Sequence, residues 1–178
     1  MVTKQKLTVE EYLALPEEPP YLEYVHGEVI EKMSPVPAHS LLINELAFQF
    51  GLYQRAAGGT GGPELRVEFH TERGPEYRLP DYSYFAPGRK MGGPRFGNPP
   101  TLAIEVRSPG ESMGQQRAKC RYFRQHGVDA AWLIDPESRT VEVFEGDVDA
   151  AVLSGGSLTS AHLPGFSLPL AELFATLD

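Results

Sequence analysis

The segment TLAIEVRSPGESMGQQRAKCRYFRQHGVDAAWLID, residues 101–135, decides the fold. It begins with TLAIEV (101–106), an almost continuous apolar run that is typical of a strand buried on both faces. A helical pattern follows over residues 111–126 and ends at Gly127. AAWLID (130–135) is a second buried strand. A buried strand, a helix and another buried strand form a β-α-β unit, which predicts a mixed sheet with helices packed against it.

Shorter elements flank this unit on both sides. We predict a short helix after Thr8, a hairpin over 21–33 with its turn at His26-Gly27, a long helix over 38–57, strands at 64–70, 78–86 and 139–145, and a short strand and a helix in the tail. The glycine-rich residues 58–62 predict a flexible turn. Residues 87–100 contain four Pro and four Gly, so we expect a mobile loop there.

Length and composition bound the class of protein. A chain of 178 residues fits a single domain, which we expect to span residues 1–178. The only cysteine, Cys120, excludes a disulfide framework within the chain and a cysteine-based zinc site. No apolar run approaches the ~18 residues that a membrane span requires. The segment MVTKQKLTVEEY (1–12) lacks the apolar core of a signal peptide. We therefore expect no membrane partner and a cytoplasmic location.

The charge distribution is uneven. The formal net charge of the chain is −8, which by itself argues against non-specific binding to nucleic acid. Residues 87–128, however, contain eight basic and two acidic side chains, a local net charge of +6. This segment is either a solvated basic face or an anion-binding region within an acidic protein.

Glu105 is the anomaly of the sequence, because it stands inside an apolar strand. A buried ionised carboxylate costs several kcal/mol unless it is paired or bound to a metal. Glu105 therefore either pairs with Arg107 or another cation, or binds a metal ion. Asp81 follows Pro80 at the start of another predicted strand. Carboxylates on adjacent strands can hold Mg²⁺ or Mn²⁺ through oxygen, and the backbone carbonyl of Val106 is a further candidate ligand.

Lys119 lies on the helix that follows Glu105. Helical spacing places Gln115, Lys119 and Tyr122 on one face. The arginines of this helix fall on a largely opposite face, which faces solvent or a ligand elsewhere. A lysine near the strand ends can orient a water molecule or offset charge that develops on a phosphate. An ordinary surface lysine is the alternative interpretation.

The pattern that these residues form resembles the Uma2 family, which is itself similar to the PD-(D/E)XK nucleases. The resemblance covers about residues 7–150, and the matching segments are YLEYVHGEVIE (21–31), His39, Pro80-Asp81, IEVRSP (104–109), Lys119 with Tyr122, and GVDAAWLIDP (127–136). It implies an α/β (α+β) fold with a restriction-endonuclease-like core, in which a mixed central β-sheet is flanked by helices. It also implies a DNA endonuclease that depends on Mg²⁺ or Mn²⁺.

The resemblance also implies roles for single residues. Asp81 and Glu105 would bind the metal ion, and Lys119 would be the catalytic lysine, moved from the strand to the helix. Arg107 stands where the general nuclease pattern has its lysine, and an arginine cannot serve as a base. Gln115 stands where the family usually has an aspartate. These two departures leave open whether the chain is active.

Three further side chains are auxiliary candidates, and three functions remain open. Glu23 either completes the metal site or is a solvated hairpin residue, and His39 is either a structural residue at the start of a helix or a base. Tyr122 is the third candidate. The chain is a nuclease, an inactive nuclease-fold module that binds nucleic acid or a protein partner, or a purely structural protein. For a nuclease we expect a homodimer or a higher homo-oligomer, since two-fold pairing permits cleavage of both strands.

Overall fold

The structure is a computed structural model that describes residues 5–16, 18–32, 34–93, 95–146 and 150–178. The strands are β1 (Gln5–Lys6), β2 (Leu22–Val25), β3 (Glu28–Glu31), β4 (Thr60–Pro63), β5 (Val67–Thr71), β6 (Gly74–Arg78), β7 (Tyr82–Phe85), β8 (Leu102–Val106), β9 (Ala130–Asp135), β10 (Thr140–Phe144), β11 (Ala151–Leu153), β12 (Ser157–Leu158) and β13 (Leu168–Pro169). The helices are α1 (Val9–Leu13), α2 (Pro37–Ala57), α3 (Met113–Gln125) and α4 (Leu170–Ala175). Met33 of the predicted hairpin and Pro94 of the predicted loop lie outside the described residues.

The predicted β-α-β unit forms the centre of the larger sheet. This sheet has the strand order β11-β10-β9-β8-β7-β4. Strands β8 and β9 are parallel, with Leu102 opposite Ala130, whereas the other neighbouring pairs are antiparallel. Every residue of β8 and β9 is buried. The prediction of a mixed sheet built around two buried strands is therefore confirmed.

Helices cover both faces of this sheet. One face buries Leu42, Leu46 and Phe50 of α2 with Ile104 and Trp132, and the opposite face buries Cys120 and Phe123 of α3 with Ala103 and Leu133. Because successive side chains of a strand alternate between faces, Glu105 points towards α3. None of the described helices is long and apolar enough to cross a membrane.

A second sheet, with the order β1-β3-β2-β6-β5, contains the predicted hairpin. Its turn residues His26 and Gly27 have φ angles of 53° and 80°, as a two-residue turn between twisted strands requires. Strand β6 ends at Arg78, and residues 79–81 carry the chain into β7 of the larger sheet. Residues from the two sheets are therefore brought together beside this connection.

Two predictions about strands were wrong. The predicted strand 78–86 is instead the end of β6, a connection and β7. Strand β6 was missed because it begins with Gly74 and Pro75, residue types that are uncommon in strands. The predicted turn at 58–62 contains part of the edge strand β4, which pairs with β7. A Cβ atom on Gly61 would lie 2.5 Å from the carbonyl oxygen of Ser83, so only glycine permits this approach.

Two backbone hydrogen bonds hold part of the predicted mobile loop to the edge of the second sheet. The N–H group of Gly97 donates to the carbonyl of Arg66 over 2.6 Å, and its carbonyl accepts the N–H group of Glu68 over 2.8 Å. Asn98 donates to the carbonyl of Met91 over 2.6 Å. This part of the loop therefore continues the edge of β5 instead of moving freely.

Candidate active site

The register of β7 and β8 brings Asp81 and Glu105 together. These strands are antiparallel, with Tyr82 opposite Ile104, so the next pair along the register is Asp81 and Glu105. Asp81 Oδ2 accepts the N–H group of Val106 over 2.7 Å. Both carboxylates are buried, each residue being 3% exposed. Of the two predicted metal ligands, Glu105 therefore lies on β8 and Asp81 directly precedes the neighbouring strand β7.

Lys119 reaches this edge from α3. Its Nζ lies 3.1 Å from Glu105 Oε1 and 3.1 Å from Glu23 Oε1. Glu23 also accepts the N–H group of Leu79 over 2.9 Å. Glu105 is thus paired with Lys119 and not with Arg107, and Lys119 is not a surface lysine. The structure places the predicted auxiliary residue Glu23 in the same cluster.

Asp81 has two further partners. Lys32 Nζ lies 2.8 Å from Asp81 Oδ1 and also donates to the carbonyl of Leu79 over 3.0 Å. His39, in the first turn of α2, places Nε2 3.1 Å from Asp81 Oδ2. Sequence reasoning did not identify Lys32, and its only signal is its position directly after the second hairpin strand. We call Glu23, Lys32, Asp81, Glu105 and Lys119 the charged cluster.

Mutual charge stabilisation outweighs burial for most of the charged cluster. Burial disfavours the ionised form of Asp81, but Lys32 and His39 oppose it and hold the pKa of Asp81 below its ordinary range. Burial likewise disfavours the ammonium of Lys119, but Glu105 and Glu23 raise the pKa of Lys119. Burial, reinforced by the charge of Asp81, raises the pKa of Glu105 despite Lys119. When Glu105 is ionised, the three carboxylates of the cluster outnumber its two ammonium groups by one.

The residues present fit a divalent cation. Glu105 Oε1 is buried and forms no hydrogen bond, although it lies close to the ammonium of Lys119. Asp81 and Glu105 supply the oxygen ligands that Mg²⁺ and Mn²⁺ prefer, and a nearby cation would favour the ionised form of Glu105, which burial disfavours. In the described ranges, no group of three His, Cys, Asp or Glu side chains could hold a metal ion. Water, backbone or substrate oxygens would therefore have to complete the shell of such an ion.

The charged cluster faces a cleft of about 630 Å³. The residues that line it include Glu23, Glu31, Lys32, His39, Arg78, Asp81, Glu105, Val106, Glu111, Gln115, Gln116, Lys119 and Tyr122. Five of the lining residues are acidic and three are Lys or Arg, so the cleft is negatively charged before any ligand binds. Arg78 and the buried Gln116 are two further lining residues that the sequence did not single out.

Arg107 and Gln115 are placed differently from the other candidates. Arg107 Nη2 lies 2.8 Å from Asp135 Oδ1 and also pairs with Glu137. Arg107 therefore pairs with side chains at and just after the C-terminal end of β9 and does not line the cleft. Gln115 lines the cleft but is exposed, one turn before Lys119.

Several basic side chains of the segment 87–128 have partners within the protein. Arg89 pairs with Asp129 over 2.7 Å, and Arg117 pairs with Glu142 over 2.6 Å. Other acceptors are backbone carbonyls, which bind Arg95 and Arg124. Much of this local positive charge is therefore paired or hydrogen-bonded within the protein, whereas Lys119 of the same segment lines the cleft. Anion binding by this segment remains a prediction.

The chain was compared with known proteins by sequence and by structure. No curated protein matches the chain significantly. Among solved structures, the chain is similar to a crystal structure described as "a putative nuclease belonging to DUF820" from Anabaena variabilis ATCC 29413. The identity is 26%, the TM-score is 0.84, and the match covers 97% of this chain and 99% of that chain. Residues 9–171 match the Uma2 family, described as "Putative restriction endonuclease". The resemblance and the restriction-endonuclease-like fold are thereby confirmed, and this chain belongs to the Uma2 family.

Proposed function

We propose that this chain is a DNA endonuclease that hydrolyses phosphodiester bonds with the help of Mg²⁺ or Mn²⁺. The observation that carries the proposal is the convergence of Asp81, Glu105 and Lys119 from separate elements at one cleft. The description of the Uma2 family and the similar crystal structure from Anabaena variabilis support the same class of activity.

Asp81 and Glu105 would hold the metal ion, with Glu23 beside them. Restriction-endonuclease-like proteins generally use divalent metal ions. When bound, the ion would polarise the phosphodiester and lower the pKa of a water molecule. The buried positions of Asp81 and Glu105 keep bulk water away from these oxygens, which strengthens their interaction with a cation.

Lys119 acts as a cation in this proposal and not as a base. Its raised pKa keeps the ammonium protonated, so it can hold Glu105 in place and offer positive charge to a phosphate oxygen. Lys32 holds Asp81 in the same way. The contact of His39 Nε2 with Asp81 assigns the proton of a neutral imidazole to Nε2, which leaves Nδ1 as the acceptor on that ring.

The charge of the cleft makes cation binding a condition for DNA binding. The cleft carries more acidic than basic side chains, so it repels a phosphodiester. A divalent cation removes this repulsion and raises the affinity for DNA. We therefore propose that DNA binds to the metal-loaded protein. The homodimer or higher homo-oligomer and the cytoplasmic location remain predictions.

An inactive nuclease-fold module is the second candidate, and one observation favours it. Lys32 and Lys119 already pair with Asp81 and Glu105, so the carboxylates are largely neutralised by the protein itself. Such a module would bind nucleic acid or a protein partner, would show no calorimetric signal with Mg²⁺ or Mn²⁺, and would not cleave DNA.

Plasmid nicking tests the first candidate directly. Supercoiled DNA is incubated with Mg²⁺, Mn²⁺ or EDTA and with wild type, Asp81→Asn, Glu105→Gln or the exposed control Glu72→Gln. We expect nicking by wild type and the control only with metal. We expect a loss of about 100-fold or more in the other two variants, since a metal ion supplies several kcal/mol of transition-state stabilisation. Equal nicking by all four proteins would indicate a contaminating nuclease and refute the proposal.

A further inference from the structure

Arg78 stands apart from the other cations of the cleft. Lys32 and Lys119 pair with carboxylates of the charged cluster, whereas Arg78 pairs with Glu76, which is not among the residues that line the cleft. The charge of Arg78 is therefore available to the cleft without competing for the proposed metal ligands. Its side chain is 12% exposed, so the guanidinium is sheltered from bulk solvent.

The guanidinium is held from two sides. Glu76 Oε2 accepts hydrogen bonds from Nε over 3.2 Å and from Nη2 over 2.9 Å. The guanidinium carbon lies 3.7 Å from the centroid of the Tyr122 ring. Glu76 is itself buried and contacted by His26 Nδ1 at 2.7 Å. These contacts fix the rotamer of Arg78 before a ligand arrives, so binding costs less conformational entropy.

The position of Arg78 and Tyr122 in the cleft points to a ligand beside the reacting phosphate. Tyr122 lies one turn after Lys119 on the same helix, and both line the cleft. The hydrogen bonds to Glu76 use Nε and Nη2 of Arg78, and Arg78 itself lines the cleft. A fixed, planar guanidinium matches the geometry of a phosphate group better than the point-like ammonium of a lysine does.

We propose that Arg78, held by Glu76 and Tyr122, binds a backbone phosphate of DNA next to the phosphate that is cleaved. This inference rests on the proposed endonuclease function, because it takes the substrate to be a polynucleotide that extends through the cleft. Arg78 is a binding and positioning residue and takes no part in bond cleavage.

DNA binding at several salt concentrations tests this inference. A fluorescent duplex is titrated with protein in Ca²⁺, and the affinity is measured by anisotropy. Arg78→Gln alone would leave the buried Glu76 without its guanidinium partner, so the test variant is Glu76→Gln/Arg78→Gln, checked by its melting curve. We expect binding to weaken about tenfold or more and the salt slope to fall by about one, as for loss of one phosphate contact. The exposed control Arg73→Gln should keep both values.

Arg78→Lys separates charge from geometry. It should retain the salt slope because a cation remains, yet weaken binding several-fold because the planar fork is lost. An unchanged affinity and salt slope in the double variant would overturn the inference, as would absence of DNA binding by wild type. Nicking in Mn²⁺ is measured in parallel. Binding that depends on Arg78 without nicking by wild type would refute the endonuclease and leave the phosphate site standing.

Discussion

Replacing Lys119 by methionine tests whether the charged cluster is an internal ion network with a place for a divalent cation. The change leaves Glu23 and Glu105 buried without the ammonium that lies 3.1 Å from each. Removing one partner from a buried ion pair costs about 3–5 kcal/mol. For a chain of this size, that loss lowers the melting temperature by about 6–20 °C. With Glu23, Asp81 and Glu105 ionised, the cluster then needs two further positive charges for neutrality, which is the charge of one divalent ion.

We therefore expect Mn²⁺ to raise the melting temperature of Lys119→Met more than that of wild type, as linkage requires for a tighter site. Urea unfolding by circular dichroism and by Trp132 fluorescence gives the free energy of unfolding. The exposed control Lys90→Met should unfold like wild type. Glu23→Gln/Glu105→Gln/Lys119→Met should recover most of the loss and lose the response to Mn²⁺. If the free energy of unfolding of Lys119→Met lay within about 0.5 kcal/mol of the wild-type value, the ion network would be refuted.

Three further predictions concern parts of the chain outside the charged cluster. Gly59→Ala should lower the free energy of unfolding by about 1–3 kcal/mol in urea titrations, because Gly59 has a φ of +83° and its added Cβ would lie 2.6 Å from the carbonyl oxygen of Phe85. Burial opposes ionisation of Asp135, but hydrogen bonds, one from Arg107, lower the pKa of Asp135 overall. Its contribution to stability is thus complete above the ordinary pKa near ~3.9 and is lost as pH falls through the lowered value, so Asp135→Asn should flatten the acid limb of a stability profile. Burial raises the pKa of the Cys120 thiol, so a thiol reagent should label it only on unfolding, and rapid labelling of the native protein would contradict its placement.

The local sequence pattern was sufficient to predict those elements whose structure is determined by their own residues. The apolar runs 101–106 and 130–135 can be stable in water only as strands buried on both faces, and the helical spacing between them leaves a β-α-β unit as their connection. The same pattern marked Glu105, because a carboxylate among buried residues requires a partner. The role of Asp81 was implied by the resemblance to the Uma2 family, and the pairing of β7 with β8, which brings Asp81 to Glu105, was found in the tertiary structure.

Pairing between distant elements was decided by the tertiary structure. Lys32 follows the second strand of the hairpin and contacts Asp81, which directly precedes a strand of the other sheet. Nothing near Lys32 in the sequence distinguishes it from a solvated lysine. The basic segment 87–128 likewise looked like a charged surface, but Arg117 meets Glu142 only because α3 packs near β10. Strand β4 depended on the same kind of contact, since glycines there form an edge strand only when β7 lies alongside.

The amino-acid sequence by itself determined the central β-α-β unit and the carboxylate that must be compensated within it, because burial and periodicity act over a few neighbouring residues. The tertiary structure alone decided which cations compensate that carboxylate and which cations are left facing the cleft. Charges interact through space over a few ångströms, and the packing of helices and sheets, not distance along the chain, determines which of them come that close.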